Sequence, residues 1–302
     1  MPRALASLIA LAMVACGASS QSSSVAVDAG PAEAASEATP GPVPCAKPPG
    51  EWEEGRDPKA YCVREIVGAL TDTEGKGLPN IDVSLCGKAC FAGRADKTGA
   101  FRVRVNSHIP DGQYGFFVHA RTTHGSTIVP LPQAPQETHS FGTFALPRLS
   151  ADGPMLAVEP APAVKLTHGP VTLDVPADTM WDLSFEDYAD EPEGRRLRFA
   201  KVAPAAAPPA LGAGAALTYV FAPFEAIASK KVAVRIAESG GLAPGSAVEF
   251  VTMHGVRVDF SAGAGLGQTV ARGHVSADGE GITTDPGEGI TTLTWLAVRA
   301  AP

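Results

Sequence analysis

Aromatic side chains, cysteines and basic clusters are all scarce in this sequence of 302 residues. Aromatic residues make up 6% of the chain, and 24 Lys and Arg face 32 Asp and Glu, which gives a net charge of −8. The acidic balance argues against nucleic acid as a partner, because phosphate backbones require clustered basic side chains. Beyond the N-terminus, no apolar run approaches the length of a transmembrane helix.

Glycine and proline are plentiful instead, with 32 and 27 residues, and they separate short apolar alternations. A period of two predicts strands with one buried face. Many short strands between turns are typical of antiparallel sandwiches. We therefore predict an all-β protein, with two antiparallel β-sandwich domains after a disordered N-terminal tether. The predicted segments are a signal peptide at 1–15, the tether at 16–60, sandwiches at 61–147 and 164–302, and a linker at 148–163.

The N-terminus is typical of a secretory signal, with Arg3 before an apolar run that ends at Ala15. The cysteine that follows resembles the bacterial lipobox, which implies that Cys16 is acylated. Plain secretion, with cleavage near Ala18, is the alternative. Gly17 in place of Asp implies the outer membrane. Residues 17–44 lack basic and aromatic residues, so they are expected to form a coil that spans about 30 Å.

The four remaining cysteines are an even number in an oxidising compartment, which predicts disulfides. A short Gly87–Ala89 turn favours pairing of Cys86 with Cys90, and this leaves Cys45 for Cys62. A redox or zinc site is the alternative. The C-x3-C spacing and the lack of a neighbouring histidine disfavour it.

The first predicted sandwich resembles a known module. Its pattern runs through Gly77-Leu78-Pro79, Asp96-x-x-Gly99-x-Phe101 and Pro110-x-Gly112-x-Tyr114. These residues resemble the carboxypeptidase regulatory-like domain, a seven-stranded sandwich related to transthyretin. The resemblance implies a module without catalytic residues of its own.

The second predicted sandwich has a less specific resemblance. The stretch from Gly169 to Ala177, the Phe221-Ala222-Pro223 step and the stretch from Gly273 to Gly279 resemble ZU5-like β-sandwiches. Some relatives cleave themselves at a His-Phe-Ser step. This sequence has no such tripeptide, so we do not predict self-cleavage.

Two functional alternatives remain open. Intradiol dioxygenases hold iron with Tyr and His on a transthyretin-like sandwich, and Tyr114 and His119 lie near the corresponding strand, although the His-x-His pair of that family is missing. Carbohydrate binding on a sandwich requires exposed aromatic rings. Trp52 and Trp181 are the predicted surface candidates, whereas Trp295 is predicted to lie in the core.

The sequence thus favours a non-enzymatic lipoprotein of the cell envelope that acts as a binding or scaffold protein. Its expected partners are the membrane, through the lipid anchor, and an unknown protein or glycan. No cofactor or metal is expected, because the seven histidines have no ligand spacing. They are His108, His119, His124, His139, His168, His254 and His274.

Overall fold

The first half of the chain folds into two facing sheets, which we call the N-terminal sandwich. The computed structural model describes residues 45–46, 60–151, 153–183, 192–255 and 264–302. The strands of the N-terminal sandwich are β1 Ala60–Asp72, β2 Asp82–Cys86, β3 Cys90–Arg94, β4 Ala100–Pro110, β5 Gly115–His119, β6 Thr127–Pro130 and β7 Thr138–Leu146. One sheet has the order β4-β1-β7 and the other has the order β3-β2-β5-β6.

The alternation expected from the sequence is present in β4. Phe101, Val103 and Val105 are buried, while the residues between them are exposed. Their side chains join those of β1, β2 and β5 in one apolar core between the two sheets. The prediction of an all-β fold is confirmed. Among the described residues, no helix has the length and apolarity needed to cross a membrane.

The second half forms an eleven-stranded sheet, which we call the C-terminal sheet. Its strands are β8 Val164–His168, β9 Val171–Val175, β10 Trp181–Asp182, β11 Arg198–Lys201, β12 Ala215–Ala222, β13 Ala226–Ile236, β14 Ala247–Met253, β15 Gly267–Val275, β16 Ile282–Thr284, β17 Ile290–Leu293 and β18 Trp295–Ala300. The main path runs β11-β12-β18-β14-β15-β16-β13-β9-β8, with β10 and β17 also paired to β13. One single-turn helix, α1, spans Pro209–Gly212.

Strand β13 connects the layers of the C-terminal sheet. Near its start it pairs with β10 and β17, and near its end it pairs with β9 and β16. A shift of register between Ile227 and Val232 interrupts the pairing of β13 with β17, and β9 and β16 pair with the residues that follow Val232. Such irregularities bend a strand, so the sheet encloses a core of its own, to which both halves of β13 contribute.

A third apolar core joins the N-terminal sandwich to the C-terminal sheet, and we call it the shared core. The N-terminal sandwich contributes Cys86, Phe117 and Ile128. The C-terminal sheet contributes side chains from the outer faces of β12, β14 and β18, which are Val220, Ala222, Val251, Met253, Trp295 and Ala297. All described residues accordingly belong to one compact unit.

The segment at 148–163, expected to be a linker, is attached to both halves. The Leu149 N–H donates to the Thr123 carbonyl at 3.0 Å, and the Ser150 N–H donates to the Phe199 carbonyl at 2.9 Å. Leu149 also lies within the shared core. The Pro, Ala and Gly content of this segment indicated a spacer, but its leucines are buried.

Trp295 makes a polar contact between the two halves. Its indole N–H donates to the backbone carbonyl of Ser126 at 2.9 Å, and both residues are buried. The ring thus fills the shared core while its nitrogen satisfies a carbonyl of the N-terminal sandwich.

We predict that Trp295→Phe lowers the free energy of unfolding by about 1–3 kcal/mol more than Trp181→Phe does. Both rings are buried, but only the first substitution leaves the Ser126 carbonyl without its donor. Within the described part of the chain, the Trp181 indole makes no hydrogen bond. Urea unfolding followed by circular dichroism measures both losses. Equal losses for the two variants would contradict the role given to this hydrogen bond.

Candidate binding site at an exposed strand edge

Strand β7 is the terminal strand of its sheet and pairs with β1 alone. Within the described residues, no strand pairs with its other edge, which we call the β7 edge. A terminal strand exposes unpaired N–H and C=O groups at regular intervals. The β7 edge can therefore accept another strand.

An irregularity at Gly142 determines which side chains of β7 face inward. Between Val67 and Ala69 on β1 there is one residue, whereas two residues lie between their partners Ser140 and Thr143 on β7. The extra residue is accommodated at Gly142, whose φ is +71°. This is a β-bulge with glycine in the left-handed region.

The bulge places Phe141 and Phe144 on the same face of the strand, although they are three residues apart. Regular alternation would have placed Thr143 there instead. On β1, Gly68 leaves room for this arrangement. A Cβ at this position would lie 2.5 Å from the Phe101 ring and 2.8 Å from the Gly142 carbonyl oxygen.

The inward side chains of β7 form an aromatic cluster that is open to solvent at the strand edge. Phe141 and Phe144 stack on Phe116 of β5 with centroid distances of 4.8 and 5.9 Å. Phe116 in turn stacks on Phe101 at 5.1 Å. Phe101 and Phe116 are buried, whereas Phe141 and Phe144 are half-buried and pack against the core from its rim.

The β7 edge is electrically neutral. Its nine residues include no Asp, Glu, Lys or Arg. Glu137, which precedes the strand, pairs with Arg64 at 2.8 Å. His139 contacts Phe141 edge to face at 4.8 Å, and its burial lowers its pKa below the usual value of 6.5. The neutral imidazole is therefore the favoured form at neutral pH.

The predicted cysteine pairs lie at disulfide distance. Cys45 pairs with Cys62 and Cys86 pairs with Cys90, with Cα separations of 5.7 and 4.1 Å. The second pair closes the β2–β3 hairpin, where the two cysteines are directly opposite one another. Cys16, the predicted lipid attachment site, lies outside the described residues.

The first disulfide secures the N-terminal segment along β4. The Ala46 N–H donates to the Asn106 carbonyl, and the Ala46 carbonyl accepts from the His108 N–H, both at 2.9 Å. Ala46 thus forms a parallel bridge with Ser107 on the outer edge of β4. Since the sheet order is β4-β1-β7, this attachment lies on the side of the sheet away from the β7 edge.

Tyr114 and His119, the residues of the iron hypothesis, have separate local partners. The buried Tyr114 hydroxyl accepts from the Ala89 N–H at 3.3 Å, and burial raises its pKa. His119 Nε2 lies 3.0 Å from the Ser84 hydroxyl, and its ring stacks on Phe117. Across the described ranges, no group of three or more His, Cys, Asp or Glu residues is arranged to hold a metal ion.

The prediction that Trp181 is a surface residue is wrong. Trp181 is 2% exposed and belongs to the core of the C-terminal sheet, because the short strand β10 pairs with β13 and directs the ring inward. Trp295 is buried as predicted. Trp52 lies outside the described residues. The exposed aromatic surface that carbohydrate binding requires is therefore not at Trp181.

The other histidines are dispersed and each has a nearby polar partner. The closest such contacts are His108 to the Ala46 carbonyl at 3.2 Å, His124 to Thr123 at 3.1 Å, His168 to Ser150 at 2.7 Å, His254 to Gln268 at 3.4 Å and His274 to Asp285 at 2.7 Å.

The β7 edge itself was missed at the level of sequence. His139 and Phe141 begin an alternation, but Gly142 interrupts it before Phe144. A pattern search with a strict period of two ends at this break. The useful signal was the glycine within an otherwise strand-like run, which is typical of a bulge.

Comparisons with known proteins add little to this all-β architecture. No protein-family model matches the chain. No curated protein matches it in sequence at a significant level. One solved structure with partial similarity is a 9R-lipoxygenase from Cyanothece PCC8801, at 17% identity and a TM-score of 0.22. The match covers 32% of this chain and 18% of the lipoxygenase, and a TM-score this low supports no argument about fold or activity.

We predict that His139→Gln reduces the pH dependence of stability below about pH 6.5. The folded state disfavours the protonated imidazole, so the unfolded state binds more protons in this range. Stability is therefore lost as the pH falls below the ordinary histidine value. Urea unfolding at a series of pH values measures the slope.

His124→Gln provides a comparison for this measurement. The pKa of His124 is also lowered, by burial and by Arg148, against the opposing effect of Asp72. Each substitution should remove part of the slope, and the double variant should remove more. An unchanged slope in His139→Gln would show that this histidine does not contribute.

Proposed function

We propose that this protein is a non-enzymatic lipoprotein of the cell envelope that binds or scaffolds other molecules through its β-sheets. The observation that carries the proposal is the β7 edge, where unpaired backbone and half-buried aromatic rings occur together. Half-buried aromatic side chains are typical of binding surfaces, since they lose further contact with water when a partner covers them.

The way the chain enters the folded unit supports this proposal. The Cys45–Cys62 disulfide and the Ala46 bridge hold the N-terminal segment at β4. Residues 45–46 therefore lie on the side of the sheet opposite the β7 edge and do not cover that edge.

The resemblance to the carboxypeptidase regulatory-like module agrees with a binding role, because that module has no catalytic residues of its own. The structure gives the carbohydrate alternative no specific support, since Trp181 is buried. The binding experiments below distinguish a glycan from a protein partner.

We predict that Cys16→Ser releases the protein from the membrane fraction and leaves its fold unchanged. A single acyl chain contributes about 0.8 kcal/mol for each buried CH₂ group, and no helix among the described residues could cross the membrane in its place. Fractionation of cells, followed by circular dichroism and thiol labelling of the released protein, provides the measurement. A variant that stays in the membrane fraction would refute the lipid anchor.

Binding through the β7 edge predicts that Phe141→Ala lowers the recovery of partners from envelope extracts after chemical cross-linking. Phe91→Ala is the matched control, because Phe91 is also half-buried against the same core but lies on β3. Both variants lose a ring from the core rim, so a general loss of stability should affect them equally. Equal recovery with the two variants would place binding elsewhere.

A further inference from the structure

We propose that the β7 edge binds a short, uncharged, extended peptide segment as an additional strand of the sheet. Alternate apolar side chains of that segment would pack against Phe141 and Phe144. This inference rests on the proposed binding function and names the chemical class of the partner.

The terminal strands of the three sheets differ in how they are protected. Natural proteins place charged residues or proline on exposed edges, because these disfavour the addition of another strand. The terminal strands β3, β4, β8 and β11 contain Arg or Lys, and β6 ends in a proline. Among the strands at the ends of these main paths, β7 alone contains neither a charged residue nor a proline. Off the main path, β17 pairs with β13 alone and also lacks both, but it contains no aromatic ring.

The side chains along β7 indicate what the partner must contain. Its solvent-facing positions Thr138, Ser140, Thr143 and Ala145 are exposed and uncharged. A charged side chain of the partner would lose water at these positions without gaining an ion pair. An uncharged partner does not have this cost. On the inner face, the half-buried rings of Phe141 and Phe144 can contact apolar side chains at every second position of the partner.

The bulge limits the length of the partner. Gly142 interrupts the regular spacing of hydrogen-bonding groups and divides the β7 edge into two short stretches. Each stretch can pair with a few residues of an extended segment. A short peptide therefore suits the edge better than a long continuous strand does.

Capped synthetic peptides of about five residues, close to the length of each of the two stretches of β7, test the inference. In each peptide, threonine alternates with Val, Leu or Phe. Isothermal calorimetry on the full folded chain identifies the peptide that binds most tightly. N-methylation of its alternate amides removes backbone donors without changing its side chains. We expect this to weaken binding by about tenfold or more if an added strand forms.

Two lysine variants locate the binding edge. Thr143→Lys places a charge on the β7 edge, and Thr167→Lys places one on β8, at another exposed threonine of a terminal strand. We expect Thr143→Lys alone to weaken binding by about tenfold or more. The inference is overturned if no peptide binds, if N-methylation has no effect, or if the two variants weaken binding equally.

Two further measurements separate this inference from the proposed function. Sedimentation velocity detects self-association, and a dimer abolished by Thr143→Lys would mean that the occupant is a second copy rather than a peptide. Glycan binding that Thr143→Lys abolishes would likewise mean that the occupant of the β7 edge is a glycan rather than a peptide. If envelope partners are still recovered with Thr143→Lys, the binding function survives while the strand-addition inference fails. If the unaltered protein recovers none, the proposed function itself fails.

Discussion

The shared core is the constraint on which the rest of the structure depends. Successive residues of β12 serve different cores: Tyr219 and Phe221 face the core of the C-terminal sheet, while Val220 and Ala222 face the shared core. In β18, Leu296 likewise faces the core of the C-terminal sheet, while Trp295 faces the shared core. From Leu217 to Ala222 and from Trp295 to Val298 these strands have no solvent face, so the N-terminal sandwich and the C-terminal sheet are each incomplete without the other.

This arrangement also determines which edges of the N-terminal sandwich remain available. The sheet that contains β2 and β5 turns its outer face toward the shared core. The opposite sheet carries the N-terminal attachment on β4 and leaves β7 open. Apolar contacts hold the sheet that contains β2 and β5 in place. Phe116 of that sheet stacks on Phe141 and Phe144, so the aromatic rim beside β7 rests on a rigid base. A rigid site loses less conformational entropy when a partner binds.

The sequence predicted strands where one face meets a core and the other meets water, as in β4. It predicted less where both faces are buried, because the largely apolar, buried stretches from Leu217 to Ala222 and from Trp295 to Val298 show no period of two. Such stretches indicate two-sided burial but do not identify the second partner. The burial of Trp181 depends on pairing with β13, a strand about 45 residues away, which no local pattern reveals.

The bulge at Gly142 explains how the protein can keep an uncharged edge strand. A long, flat and neutral edge strand would invite pairing between copies of the protein, with aggregation as the result. Breaking the register at Gly142 shortens the stretch over which two full-length strands could pair. The same break turns Phe144 inward beside Phe141, which concentrates apolar surface at one point of the edge. One glycine thus disfavours extended self-pairing and creates the local surface to which a short segment can bind.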